Sequence, residues 1–203
     1  DALEQQGSSW AKFQTEADTP TKPLLPRVNA LLLDARAQAA NPDAAANVRT
    51  PAFGLLGRDP ALLPDDAAIL QACLSPRLDQ ALQNASLQNL RRMNHSVVGT
   101  SLLAGWKRYS PETRSRVLDA LVSRASWTRM LLNAVAQDTV AVTDIEPARR
   151  QRLTSHSDKS LSELAKRVLQ APTEAGRQDV LASFTGALQL KGNADQGKTL
   201  FAN

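Results

Sequence analysis

Ser110-Pro111-Glu112-Thr113-Arg114-Ser115-Arg116-Val117-Leu118-Asp119-Ala120-Leu121-Val122 opens like a helix and continues like one. Proline suits the first helical position because the amide it lacks would have no intrahelical partner there, and the serine before it can accept bonds from the amides that follow. Val117, Leu118, Leu121 and Val122 then fall on one helix face. The same punctuation recurs: Pro76, Pro111 and Pro147 follow Leu74-Ser75, Tyr109-Ser110 and Ile145-Glu146, at intervals of 35 and 36 residues, and each is expected to start a helix. Six residues after each proline stands an apolar side chain, Leu82, Val117 or Leu153. Two helices per unit of this length is the size class of solenoid repeats. A helix pair with one apolar stripe cannot bury it alone, so the pairs are expected to stack and leave their outer faces and turn edges for partners.

Flanking stretches extend the pattern. Val97, Val98, Leu102 and Trp106 trace a helix before the quoted run, and Trp127, Met130, Leu131, Ala134 and Val135 trace one after it. Leu161, Leu164, Ala165, Val168 and Leu169 follow the cap Asp158, with polar turns at Gln137-Asp138-Thr139 and Ser155-His156-Ser157. Nearer the start, Val28, Leu31, Leu32 and Ala35 predict a helix from Arg27 to Ala40. A second is expected from about Asp43 to Leu56, stopping at Gly57, with Pro51 arguing for a kink or a late start. A last helix is expected over 173–190, with Val180, Leu181, Phe184 and Leu188 inward and a stop at Lys191-Gly192. The fold class is therefore all-α, a solenoid of stacked antiparallel helix pairs over 27–190. Residues 1–26, punctuated by Pro20, Pro23 and Pro26, form an extended segment in which Trp10 and Phe13 can pin a helical turn onto the body. Residues 191–203 close the chain.

Composition agrees. Of 203 residues, 42% are hydrophobic but only 4% aromatic, so the apolar material is mostly the Ala, Leu and Val that helices pack with, and no strand-like alternation competes. Cys73 is the single cysteine, which excludes a disulfide framework, a cysteine zinc site and haem attachment within these residues. No apolar run reaches the length of a membrane span. The start, Asp1-Ala2-Leu3-Glu4, carries neither an initiator Met nor a targeting signal, so the chain is expected to be an excerpt of something longer.

The formal net charge of +4 is unevenly spread: residues 1–66 carry 6 basic and 9 acidic side chains, and residues 106–167 carry 12 and 7. The densest basic cluster, Arg149, Arg150 and Arg152 with His156 nearby, is the candidate interaction surface, although Asp144, Glu146 and Asp158 shorten the reach of its field. Candidate chemistry is sparse. His95 and His156 lie in turns at helix ends and read as caps; no partner for metal ligation is near them in sequence. Cys73, beside Leu70 and Leu74, reads as a buried thiol with no basic residue close in sequence. Trp106 and Trp127 read as core, and Asp65-Asp66 as helix capping. The glycines of Gly192-Asn193-Ala194-Asp195-Gln196-Gly197 lack the preceding strand of a phosphate loop. No catalytic, metal or cofactor-binding residue is assigned.

Several strings together resemble one family. Leu103-Ala104-Gly105-Trp106, Ser110-Pro111-Glu112-Thr113-Arg114, Val117-Leu118-Asp119-Ala120-Leu121-Val122-Ser123-Arg124, Trp127-Thr128 and Ala148-Arg149-Arg150-Gln151-Arg152-Leu153-Thr154-Ser155-His156 are similar to the helical region of large secreted proteins from planctomycetes and verrucomicrobia. In those proteins a membrane-bound dehydrogenase-like β-propeller is followed by HEAT-like repeats and a c-type cytochrome domain. Residues 192–203, ending Gly197-Lys198-Thr199-Leu200-Phe201-Ala202-Asn203, resemble the lead-in to that cytochrome domain, ahead of its Cys-x-x-Cys-His attachment site. The resemblance spans about 27–203.

It implies a HEAT- or armadillo-like α-solenoid that is not an enzyme: a scaffold or linker that positions an adjacent haem domain and makes protein–protein contacts, in an extracytoplasmic (periplasmic or secreted) location. The adjacent cytochrome c and β-propeller domains would be its partners. Haem c is expected only in the missing downstream domain, so no haem-binding residue carries over. Two rival readings stand beside it: a HEAT-fold DNA glycosylase or DNA-binding module using the basic face, to which the alternation of arginines with acids gives little support, and a generic peptide-binding repeat domain.

Overall fold

The computed structural model describes residues 22–169 continuously, together with Lys12, Thr15, Glu16 and Lys198. The pairing of Trp10 with Phe13, the helix over 173–190 and, apart from Lys198, the segment 191–203 lie outside the described residues. Among the described residues the chain is all-helical: α1 (Leu25–Ala40), α2 (Ala46–Phe53), α3 (Leu63–Ala72), α4 (Gln80–Met93), α5 (Ser96–Ala104), α6 (Pro111–Leu121), α7 (Ala125–Ala136), α8 (Pro147–Thr154) and α9 (Lys159–Leu169). None is long and apolar enough to cross a membrane.

Consecutive helices pack in pairs, α1 on α2, α3 on α4, α6 on α7 and α8 on α9. The odd-numbered helices also touch in succession, α1 to α3, α3 to α5, α5 to α7 and α7 to α9, while α2 meets α4 and α4 meets α6. One continuous cluster of buried side chains runs from Ala35 to Leu169 between these rows. Its members include Leu82, Val117 and Leu153, the three residues that follow the periodic prolines by six.

Local chemistry explains the helix ends. Ser110 Oγ accepts from the Thr113 amide at 3.1 Å and Pro111 is the first residue of α6. Pro147 is likewise the first residue of α8, there without a side-chain cap. Pro76 does not start a helix. It lies in a turn, and α4 begins at Gln80 because Asp79 Oδ1 takes the Leu82 amide at 2.7 Å. A carboxylate at the cap position outweighs a proline three residues earlier. Pro51 sits inside α2, which starts late and ends early at Phe53; beyond it the backbone tightens into 3-10 bonds, Gly54 N to Pro51 O and Leu55 N to Ala52 O. In α1 the inward residues are Val28, Leu32, Ala35 and Ala39, whereas Leu31, expected inside, is 54% exposed.

Cross-links between neighbouring units are made by rings and guanidinium groups. Trp106, in a 3-10 turn after α5, donates Nε1 to Asp144 Oδ2 at 3.0 Å, and the Arg114 guanidinium stacks on its ring with Nη1 3.6 Å from Asp144 Oδ1. Trp127 donates Nε1 to the His95 carbonyl at 3.0 Å under the Arg124 guanidinium. Ser101 Oγ donates to the Ala67 carbonyl, and Thr113 Oγ1 to Gln83 Oε1. The Gln71 amide donates to the Tyr109 hydroxyl at 3.1 Å, directly over Gly105. Burial pushes the Tyr109 hydroxyl up to about 12, so it stays protonated.

Two charged groups are buried at the first units. Arg49 donates Nε and Nη2 to the Ala39 carbonyl in the last turn of α1, at 3.1 and 3.0 Å, and Nη2 also reaches Cys73 Sγ at 3.0 Å. Asp66 does not cap its own helix. Its Oδ2 accepts from the Gly57 amide at 2.7 Å, and its Oδ1 lies 2.7 Å from Arg36 Nε. Gly57 holds φ at +77°, and an added Cβ would meet the Met93 side chain, so only glycine presents that amide to Asp66 without strain.

Two predictions follow from these contacts. A Cβ on Gly105 would lie 2.1 Å from Gln71 Nε2 and 2.2 Å from the Tyr109 oxygen. Gly105→Ala should therefore cost about 2–3 kcal/mol in urea denaturation, and adding Tyr109→Phe should recover part of that loss as a non-additive pair. Burial raises the Asp66 carboxyl above its ordinary 3.8, outweighing the Gly57 amide and Arg36. A raised carboxyl favours the folded state at low pH and loses that contribution as pH climbs through its folded value. The stability of Asp66→Asn, which keeps an acceptor for Gly57, should thus gain on wild type as pH rises through the carboxylate range.

Candidate functional site

The basic cluster read from the sequence divides in space. Arg149, Arg152 and His156 line one surface cleft of about 160 Å³, with Val122 of the preceding unit and Leu153 as its apolar part. Arg150 faces a different cleft of about 500 Å³ between α8 and α9, lined by Pro147, Gln151, Thr154, Lys166 and Leu169. Helical geometry accounts for this: Arg149 and Arg152 are three apart and share a face, while Arg150 is rotated away from Arg149. A third cleft of about 220 Å³ lies between α4 and α6, bounded by Asn84, Gln88 and Arg91 on one side and Arg116 and Asp119 on the other.

Arg149 is the most constrained member. Its side chain is 12% exposed; Nη2 donates to Asp119 Oδ1 at 2.8 Å and to Ser115 Oγ at 3.0 Å, and Nη1 lies 2.8 Å from Glu146 Oε2. The charge that the sequence offered for docking is largely used in tying α8 to α6. Arg116 is held similarly by Glu112 and Asn84. Arg152 is exposed, and among the described residues its guanidinium has no hydrogen bond or ion pair. His156 accepts the Asp158 amide on Nδ1 at 3.0 Å, fixing the turn before α9. Asp158 in turn caps α9 through the Ser160 and Leu161 amides, and the Ser160 hydroxyl first, then these amides, hold its carboxyl below the usual range.

The other candidates occupy structural positions. His95 Nδ1 accepts the Val97 amide at 3.2 Å, capping α5. Cys73 is 1% exposed, and burial pushes its thiol up, with Arg49 acting in the opposite sense. That guanidinium, 24 residues away in sequence, is the basic neighbour the local sequence did not reveal. Trp106 and Trp127 are 2% and 1% exposed, so neither presents a face on which a nucleobase could stack. Among the described residues no group of three or more His, Cys, Asp or Glu side chains converges as metal ligands would.

Of the partners of Arg149, Glu146 was named beside it from the sequence, whereas Asp119 and Ser115 on the preceding unit were not. Asp119 and Ser115 precede it by 30 and 34 residues, close to the interval between the prolines. Three residues after Pro111 and Pro147 stand Arg114 and Arg150, and five after them Arg116 and Arg152. Superposing the units along the sequence would have paired these positions.

No family model, curated protein or solved structure matches the chain.

Arg149→Ala should lower stability by about 1 kcal/mol in chemical denaturation, since it removes a well-ordered tie whose acidic partners are half-exposed. Arg152→Ala should change stability by less than about 0.5 kcal/mol under the same conditions.

Proposed function

We propose that the chain is a HEAT-like α-solenoid serving as a non-catalytic scaffold, one that sets the position of adjacent domains and docks other proteins. The observation that carries this reading is the period of the cross-links. Trp106 to Asp144, Trp127 to His95, Ser101 to Ala67, Arg149 to Ser115 and Arg129 to Ser160 join residues 38, 32, 34, 34 and 31 apart. Bonding each unit to the next at one repeat length is the contact pattern of a quasi-one-dimensional stack. Such a stack acts as a spacer: its units fix the separation and orientation of whatever lies at its two ends.

The resemblance to the helical region of secreted cytochrome-bearing proteins supplies the proposed setting, extracytoplasmic and next to β-propeller and c-type cytochrome domains. The described residues do not themselves fit a haem. Cys73 is the sole cysteine and is packed against Arg49, and His95 and His156 each use Nδ1 to accept a backbone amide. Haem is accordingly proposed for a neighbouring domain, and no step is assigned through it here.

Excising residues 111–146 removes one unit and tests both parts of the reading. The shortened chain should still unfold cooperatively with its helical content per residue retained, because α8 then docks where α6 did. In the longer polypeptide, a spin-label distance across the stack should shorten by about 10 Å, one helix-packing width, and visible absorption should show a c-type haem. A molten product or an unchanged distance would count against the spacer, and a haem-free spectrum against the setting.

A further inference from the structure

We infer that the exposed edge of α1 carrying Leu24 and Leu31 docks the N-terminal segment of this same chain, with Trp10 and Phe13 as its anchors, so that the segment caps the stack. This deepens the scaffold reading and rests on it. The odd-numbered helices touch in succession, and α1 meets α3 on the side where Arg36 Nε lies 2.7 Å from Asp66 Oδ1. Leu31 stands five residues before Arg36, about 140° around a helix of 3.6 residues per turn, and so faces the place that a preceding helix of the row would take. Leu24, seven residues before Leu31, lies on the same edge. They are 49% and 54% exposed, and with Leu33 and Val48 they put the exposed large apolar side chains of the described residues on the first helix pair. A stack of helix pairs requires its terminal unit to be covered or polar, and this edge is neither.

The chain leading into α1 carries a matching surface. Residues 1–21 hold three large apolar side chains, Leu3, Trp10 and Phe13. Lys12, Thr15 and Glu16 are helical and exposed: Thr15 Oγ1 donates to the Lys12 carbonyl at 2.9 Å, and Lys12 Nζ lies 4.0 Å from Glu16 Oε2. In that helical register the positions of Trp10, Phe13 and Ala17 share the side away from Lys12 and Thr15. Pro20 and Pro23 interrupt helical bonding before α1, and the residues between Phe13 and Lys22 can reach about 26 Å when extended, enough to return along the first turns of α1. A tethered segment meets this edge at a high effective concentration, which favours it over a free polypeptide of equal complementarity. Its two aromatic side chains bring the apolar area that the edge lacks.

The test labels the full chain with 5-fluorotryptophan, giving fluorine resonances for Trp10, Trp106 and Trp127, with Trp10→Phe identifying the first. Trp10 should show the small H2O-to-D2O shift of a covered indole, and Leu31→Ser or Leu24→Ser should raise that shift toward the value of free fluorotryptophan. Leu33→Ser, two residues on and about 200° around the helix, should leave it unchanged. Trp106 and Trp127, 2% and 1% exposed, report in the same spectra that the stack is intact. A fully exposed Trp10 in the wild-type chain, which leaves the edge to another polypeptide, overturns the inference. So does a Trp10 shift indifferent to both leucine substitutions, and so does protection that disappears on dilution, because the segment would then lie on a second copy. Excising residues 111–146 leaves this edge in place, so the cap can fail while the scaffold reading survives.

Discussion

A short amphipathic helix has one apolar stripe and, in water, nowhere to put it except against another helix. Pairing α6 with α7 covers part of each stripe, and α5 covers more of α7, which in turn covers part of α9. The remaining polar demands are met in the same direction. Trp106 needs an acceptor for its indole N–H and finds Asp144 in the next unit; Trp127 finds the His95 carbonyl in the previous one. Burial and polar satisfaction therefore impose one geometry together.

That constraint explains the fate of the positive charge. An excess of arginine over residues 106–167 looks, in composition, like a surface awaiting an anion. Several of those arginines instead sit over rings or reach across units: Arg114 over Trp106, Arg124 over Trp127, Arg149 onto Asp119 and Ser115. Guanidinium suits this use because it stacks, keeps its charge and donates several bonds from a planar fork. What distinguishes Arg150 is position: the residue-by-residue equivalent of Arg114 lacks a described counterpart to Asp144.

Helix ends set by adjacent residues were legible in sequence. Ser110 with Pro111, Asp158, and the stripes of α6, α7 and α9 fall where periodicity and capping chemistry place them. Ends where two local signals compete were not. Pro76 pointed to a start that Asp79 overrides, and α2, with Pro51 in its last turn, is shorter at both ends than the expected span. Leu31 was misplaced because α1 has a described neighbour along only part of its face. Apart from Glu146 beside Arg149, the polar partners of Arg149, Arg49 and Asp66 were hidden because they lie in other elements of the fold. Asp119 and Ser115 do stand 30 and 34 residues before Arg149, near one repeat length, whereas Arg49 beside Cys73 obeys no repeat and depends on the packing of α2 against its neighbours.

Because Ser101, Trp106, Thr113, Trp127 and Arg149 all find their partners within about one unit, no contact among them waits for a distant part of the chain to be made. Such a polypeptide suits assembly during synthesis: as each new helix pair leaves the ribosome it can dock on the pair already outside, before translation ends. Loop-closure entropy stays small at every addition, and slow searching among remote strands never arises. The transient hazard is confined to the growing tip, where the most recently emerged stripe is bare until its successor arrives.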